Sequence, residues 1–319
     1  MKIVILDGIC ENPGDLSWDG FVSLGQLTVY DRTPDDPATI ISRIADNQAV
    51  IVNKVKITDD IMAACPDIQY IGLLATGYDV IDIEAAKKRN IIVCNVSDYG
   101  TDAVAQHVFA LLLAICNQVC PLSMAVFDGK WTNCPDFCFW ERPLRAIKSK
   151  VIGIIGFGKI GRKVAEIAKA FNMHVLAYDV RPDVQNEYGH MVGMDTLLKY
   201  ADIVTLHCPL NENTAEIINK KTIKNMRDGV MIINSSRGGL VNERDLADAL
   251  KSGKVAFAAV DVVSSEPISA DNPLLTCDNC IITPHIAWAA RESRKILMEI
   301  AVENLKSFIE GEPINVVNF

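Results

Sequence analysis

The chain has 319 residues, half of them hydrophobic, with 31 Lys and Arg against 40 Asp and Glu, a formal net charge of −9. That length leaves room for two domains with sizeable cores. The acidic balance argues against a general nucleic-acid or anionic-membrane surface, and the most apolar segment, Val108 to Cys116, is too short to cross a bilayer.

Lys2 to Leu6 reads as a buried strand ending at Asp7-Gly8, and strand-like runs follow at Leu27 to Tyr30, Ala49 to Val52, Tyr70 to Leu73 and Ile91 to Cys94. Helical segments at Pro37 to Asp46, Asp59 to Cys65 and Ile83 to Arg89 alternate with them, which predicts an open parallel α/β sheet. The turn after the first strand, Gly8 to Gly14, lacks a glycine fingerprint, so by elimination this domain holds a substrate other than a nucleotide. Asn53-Lys54 and Thr76-Gly77 follow strands at their carboxyl ends, where such sheets bind ligands. The N–H groups of Thr76 to Tyr78 could receive a carboxylate; the alternative is an ordinary polar loop.

Thr101 or Asp102 is expected to cap a helix from Ala103 to about Gln118 that is apolar nearly all round. The loop after it, Asp128 to Arg142, holds Trp131, Phe137, Phe139 and Trp140, which suits a pocket wall or a dimer contact. The apolar run Val151 to Ile155 then stops at Gly156-Phe157-Gly158-Lys159-Ile160-Gly161 before a helical pattern begins. Gly156 can take the turn, Gly158 admits a pyrophosphate to the backbone, and Gly161 lets the helix pack on its strand. The phosphates would sit on the helix N-terminus, with Lys159 and Ile160 in its first turn. The next strand, Val175 to Tyr178, ends in Asp179, where an acidic side chain can accept from both ribose hydroxyls. Its charge favours NAD, while Arg181 could instead serve a 2′-phosphate.

Strands recur at Ile203 to Leu206, Val230 to Asn234, Phe257 to Val260 and Ile281 to Thr283, as in a doubly wound sheet. Leu297, Ile300, Ala301, Leu305 and Phe308 form one face of a last helix that closes at Gly311, with Pro313 beyond. The expected fold is therefore α/β, with two doubly wound Rossmann-like domains of parallel sheet separated by a cleft. Residues 1–100 and 288–319 make a discontinuous substrate domain, and residues 101–287 the NAD-binding domain.

Three polar residues follow successive strands of the second domain: Arg237, Glu266 and His285. Reducing a 2-oxo acid with a nicotinamide leaves an oxyanion to be protonated, and histidine suits proton transfer in both directions near neutral pH. Glu266 would stabilise and orient the imidazolium, and Arg237 would hold the substrate carboxylate and polarise the carbonyl. Asp261, at the end of its strand, could accept from the nicotinamide carboxamide. Among the other histidines, His174 and His190 fall near the surface by pattern, and His107 reads as structural on the apolar helix. Ten cysteines without an export leader are expected to be reduced thiols in the cytoplasm; the lone CxxC, Cys277 to Cys280, has no second ligand pair and implies no metal.

Through Thr76 to Asp82, Thr101 to Ala105, the glycine motif, Leu206-His-Cys-Pro-Leu210, Asn234 to Gly239, Asp261 to Pro267 and Pro284 to Ala287, the chain resembles the D-2-hydroxyacid dehydrogenase family. The resemblance implies Arg237, Glu266 and His285 as the catalytic set, and NAD contacts at Val104, His207, Cys208, Pro209, Thr214, Ser235 and Ser236 beside the glycine turn, Asp179 and Asp261. It also implies a substrate domain built from both chain ends and a homodimer. Pro135 to Trp140 and Ile286 to Ala290 are similar to the glycerate dehydrogenase (hydroxypyruvate reductase) subgroup, with Trp140 near the substrate. Gln106 stands where many members carry glutamate, and Ser235-Ser236 replaces a more usual threonine or alanine pairing. The favoured substrate pair is hydroxypyruvate and D-glycerate, with D-lactate/pyruvate, glyoxylate or a bulkier 2-oxo acid as alternatives. A reading of another class is an NADH-sensing corepressor, which the compact length without long interaction tails disfavours.

Overall fold

The computed structural model describes residues 1–181 and 187–319. It divides into two compact units, Met1–Gly100 with Ala289–Phe319, and Thr101–Trp288. In the first unit β1 (Lys2–Ile5), β2 (Gln26–Val29), β3 (Ala49–Val52), β4 (Tyr70–Leu73) and β5 (Ile92–Cys94) form one parallel sheet in the order β2-β1-β3-β4-β5. Between the strands run α1 (Asp19–Val22), α2 (Pro37–Ile44), α3 (Asp59–Ala64) and α4 (Ile83–Lys88). Asp36 and Asp82 cap α2 and α4 by accepting from Thr39 and Ala85 N–H groups. β3 and β4 are buried along their whole length, which is why they carry no polar alternation. The strand order reverses between β1 and β3, the place where such a sheet opens a crevice.

In the second unit α5 (Thr101–Asn117) already includes Thr101 and Asp102 in its first turn, so neither is the expected cap before Ala103. Gln118, at φ 51°, breaks the helix, and α6 (Val119–Phe127) begins at once. The sequence pattern gave no sign of α6; its Pro121 falls in the first turn, where a helix N–H has no partner to lose. There follow β6 (Val151–Ile155), α7 (Lys159–Ala170), β7 (His174–Tyr178), the short β8 (His190–Met191), α8 (Met194–Tyr200) and β9 (Ile203–Leu206). The unit continues through α9 (Lys220–Asn225), β10 (Val230–Asn234), α10 (Glu243–Lys251), β11 (Val255–Val260) and β12 (Cys280–Ile282). The sheet is parallel in the order β12-β11-β10-β9-β6-β7-β8, so every strand delivers its carboxyl end to one edge. Phe109, Leu112, Val164 and Ala168 of α5 and α7 fill one face, and Leu197, Ile223 and Leu246 of α8, α9 and α10 fill the other. Trp288 stays with this unit, one residue past the expected boundary, and its Nε1–H donates to His285 O at 2.9 Å.

The chain then returns to the first unit as α11 (Arg291–Ile309), which buries Leu297, Met298, Ala301 and Leu305. Phe308 packs tilted against Tyr70 of β4, with 5.0 Å between ring centres and 37° between ring planes. The helix ends as expected at Gly311, φ 86°; Gly311 N–H donates to Phe308 O and Glu312 N–H to Ser307 O, a Schellman pair. Asn304 Nδ2 donates to Asn95 O, and Asn318, buried, accepts from Val93 N–H and donates to Ile91 O along the edge of β5. At the other end of α11, buried Arg294 forms a two-pronged pair with Asp15 (2.8 and 2.7 Å) and donates to Glu11 O.

Where the order of the first sheet reverses, the Asp7 carboxylate accepts the N–H groups of Asn53, Lys54 and Val55 at 2.8, 2.6 and 3.0 Å. Glu11 is fully buried beside it; Oε1 accepts from Asn53 Nδ2 at 2.5 Å, and Oε2 has no partner among the described residues. Burial, reinforced by the charge of Asp7, pushes the Glu11 carboxyl up to about 9. Glu11 is therefore a neutral acid at pH 7, whereas the unfolded carboxyl ionises near 4.5. Between those two values the folded chain binds the extra proton, so this group's contribution is fully present below pH 4.5 and falls as pH rises toward 9, by up to about 1.4 kcal/mol per pH unit. Glu11→Gln has the shape of the neutral acid without the charge. We expect it to flatten that slope and to raise Tm at pH 8.5 by several degrees, read from thermal melts at pH 6 and pH 8.5. An unchanged slope would mean that Glu11 is ionised in the folded chain.

Candidate active site

β6 ends at Ile155, and Gly156 turns the chain at φ 93°, in the left-handed region. A Cβ there would lie 2.5 Å from the backbone of His207 and Cys208, so the turn and the loop after β9 lock together only around a glycine. A Cβ on Gly161 would lie 2.2 Å from Gly156 O, which leaves α7 no room for a larger residue against its strand. At Gly158, by contrast, a Cβ would meet nothing within 4 Å. Gly158 is the N-cap of α7 and offers no side-chain oxygen to its first turn, where Lys159 is exposed and Ile160 half-buried. That open, side-chain-free helix start fits a pyrophosphate.

Asp179, one residue past β7, accepts from Phe157 N–H at 2.8 Å through Oδ2 and from Arg181 N–H at 3.0 Å through Oδ1. Burial alone would raise its carboxyl, but those N–H groups and the Arg181 charge outweigh it and hold the group below the usual carboxylate range. The Arg181 guanidinium lies 3.5 Å from Asp179 Oδ1 and is otherwise exposed.

The remaining residues expected at the cofactor fall into two groups. His207 accepts or donates at Nε2 with Thr205 Oγ1, 2.9 Å away, while its Nδ1 is sealed without a partner among the described residues; burial pushes the ring down to about 3, so it is neutral. Ser235 Oγ is likewise buried with no partner among the described residues, whereas Ser236 Oγ donates to Leu206 O at 2.7 Å. Two orphaned polar atoms on the edge that carries the glycine turn are what a polar ligand there would satisfy. Thr214 instead ties its own loop, donating to Pro209 O at 2.6 Å, with Cys208 half-buried and Pro209 exposed beside it. Val104 is buried on α5.

Arg237, Glu266 and His285 follow β10, β11 and β12, which are neighbours in the sheet, so parallel strands bring all three to one edge. Glu266 Oε2 lies 2.6 Å from His285 Nδ1 and Glu266 Oε1 accepts from Val263 N–H at 3.2 Å. With a carboxylate as partner, Nδ1 carries the hydrogen, and Nε2 is the nitrogen left to give or take a proton. The exposed Arg237 side chain donates back to Ser236 O, and Asn234 Nδ2 steadies the turn by donating to Arg237 O at 2.9 Å.

Of the candidates in the first unit, Asn53 is buried with its amide turned to Glu11, and Lys54 is exposed. Thr76 and the half-buried Gly77 follow β4; Thr76 Oγ1 donates to Val96 O and Asn95 Nδ2 to Thr76 O. Trp140 belongs to the second unit and is 60% exposed.

Asp261 is placed differently from a side chain open to a ligand, with its carboxylate sealed inside the protein. It accepts from Thr283 Oγ1 (2.5 Å), Ile286 N–H (2.9 Å) and Ala287 N–H (2.8 Å), and His107 Nε2 lies 3.4 Å away. Burial would raise Asp261, but those donors, His107 first, hold it below the usual range. Its ties bracket His285, whose φ of 54° is unusual for a residue with a side chain. His107 and Thr283, 3.1 Å apart, were not among the sequence candidates. Nothing local marks them, since their link joins positions 176 residues apart.

Residues 109–287 match the family described as D-isomer specific 2-hydroxyacid dehydrogenase, NAD binding domain. The whole chain aligns at 52% identity with the full length of a hydroxypyruvate reductase from Blautia hydrogenotrophica. A glycerate dehydrogenase from Methylorubrum extorquens is 38% identical over 88% of each chain. Among solved structures, an acyclic imino acid reductase in complex with NADPH and D-Arg superposes with a TM-score of 0.85 at 31% identity, covering 99% of this chain and 100% of that one. Site geometry, fold and these likenesses agree, and the chain belongs to the D-isomer specific 2-hydroxyacid dehydrogenase family as an NAD-dependent oxidoreductase.

Proposed function

We propose that this enzyme interconverts hydroxypyruvate and D-glycerate, with Arg237, Glu266 and His285 as its working residues. The observation that carries the reading is the 2.6 Å pair between His285 and Glu266 on the sheet edge that also bears the glycine turn. The choice of substrate is supported by the 52% identical hydroxypyruvate reductase and the glycerate dehydrogenase. A nicotinamide cofactor held at the glycine turn would supply or take up the hydride exchanged at the substrate's C2. Arg237 presents a planar fork that holds the substrate carboxylate and draws electron density from the carbonyl. His285 protonates the developing oxyanion through Nε2, and Glu266 keeps the ring oriented and stabilises its charged form before that transfer. In the first unit, Lys54 after β3 and Thr76 and Gly77 after β4 offer polar groups at strand ends for an acid substrate, and the Asn53 amide next to Lys54 is turned to Glu11.

Residues 1–100 with the last helix serve as the substrate domain in this reading. A homodimer is supported by the exposed apolar side chains of α6 and the loop after it, where Phe127 is 88% and Phe137 89% exposed, with Trp131 and Trp140 also in the open. Ten free thiols suit a reducing cytoplasm.

Three measurements test these points. Across a panel of 2-oxo acids, kcat/KM should be highest for hydroxypyruvate; a preference for pyruvate or glyoxylate would move the substrate assignment. His285→Ala should lower turnover by about two to four orders of magnitude, and a near wild-type rate would place the proton donor elsewhere. NADH should be preferred over NADPH, and Asp179→Ala should raise KM for NADH roughly ten- to a hundredfold through loss of charged hydrogen bonds, narrowing that preference.

A further inference from the structure

Glu243 is the first residue of α10, and helix capping does not require it. That task falls to Asn242, whose Oδ1 accepts from Asp245 N–H at 3.0 Å. The Glu243 carboxylate reaches sideways instead. Oε1 accepts from Ser264 N–H at 2.7 Å, and Oε2 accepts from Ser264 Oγ at 2.8 Å and from Asn272 Nδ2 at 2.9 Å. Three donors on one carboxylate, all from the segment that follows β11, make a clamp on that segment.

The peptide it grips is shared. A Cβ on Gly238 would lie 1.9 Å from Val263 C and 2.4 Å from Ser264 N, so the turn after Arg237 rests directly on the Val263–Ser264 peptide. Val263 N–H donates to Glu266 Oε1, and Glu266 Oε2 meets His285 Nδ1. Ser264, Ser265 and Glu266 are otherwise exposed, and the rotamer entropy of a free glutamate side chain opposes any single orientation. Something outside the loop must fix the peptide from which Glu266 is aimed.

We propose that Glu243 is a positioning residue for the reaction: by clamping the Val263–Ser264 peptide against Gly238 it sets the place of Glu266 against His285, and ties that pair to the turn carrying Arg237. The proposal rests on the proton-transfer role assigned above to His285 and Glu266. Glu243 itself touches neither substrate nor cofactor in this scheme.

The test measures steady-state reduction of hydroxypyruvate and the NADH dissociation constant for Glu243→Ala, Glu243→Gln and Ser264→Ala. Each is made alone and in a Glu266→Gln background. Glu243→Ala should lower kcat roughly ten- to a hundredfold while NADH binding changes less than about twofold, since a displacement of about 1 Å at a proton donor can cost two orders of magnitude. Glu243→Gln, which keeps an oxygen for Ser264 N–H, should recover most of that loss, and Ser264→Ala should show a loss of a few-fold. In the Glu266→Gln background Glu243→Ala should add less than about twofold, because the residue it positions is already disabled. Effects that multiply in the double variant, a fall in NADH binding that matches the fall in kcat, or a wild-type kcat in Glu243→Ala would each overturn the proposal. If Glu243→Ala does not fold, Ser264→Ala in the two backgrounds decides by the same rule. A fully active His285→Ala would instead overturn the proton-transfer reading, and so marks that failure apart from this one.

Discussion

A carboxylate sealed from solvent at the end of β11 governs how the reactive edge of the second unit is built. Asp261 would cost several kcal/mol to bury alone, and it is tolerated because a hydroxyl, two backbone N–H groups and a ring nitrogen converge on it. Two of those donors are the residues directly after His285 and one lies two residues before it. The same bonds that stabilise the charge therefore set the left-handed backbone at His285, and with it the direction in which the imidazole leaves the sheet. The Glu266 contact, at 2.6 Å, depends on that direction being kept.

Glu11 in the first unit shows the opposite outcome of the same physics. It too is sealed from water, but one amide donor reaches it and a second acid, Asp7, sits alongside. With too few donors to offset desolvation and a like charge next to it, the carboxyl keeps its proton. Asp7 has three N–H donors and still titrates above its usual value, because burial exceeds what they return. Asp261 is the one of the three whose donors outweigh its burial; for Asp7 and Glu11 burial wins.

Much of this was legible in the sequence, for identifiable reasons. The glycine turn and Asp179 stood out because a strand, three spaced glycines, a helix start and an acid at the next strand's end follow one another at short range in the sequence. Strands buried on both faces stood out because they lack polar alternation, and Arg237, Glu266 and His285 because each follows such a run. Other features left no local trace. Glu243 looks like any acid in a first helical turn. His107 lies on an apolar helix and meets its partners only once β11 and β12 are in place. Asn53 read as a polar residue on a loop, yet its amide is taken by an acid 42 positions away. α6 was hidden because a single left-handed residue, Gln118, reorients an apolar run that continues through it.

The return of the chain to its first unit has a bearing on how the protein is made. Residues 1–100 leave the ribosome with five strands specified, yet α11 and the Asn318 segment that cover β4 and β5 come from the last 31 residues. At about 5–20 residues per second, the early strands wait for roughly 10–40 seconds before their cover exists. The second unit is continuous and complete by Trp288. Synthesis therefore favours an order in which the nucleotide-binding half matures first, and the half that opens the chain is the last to close, with its apolar surface held open to chaperones meanwhile.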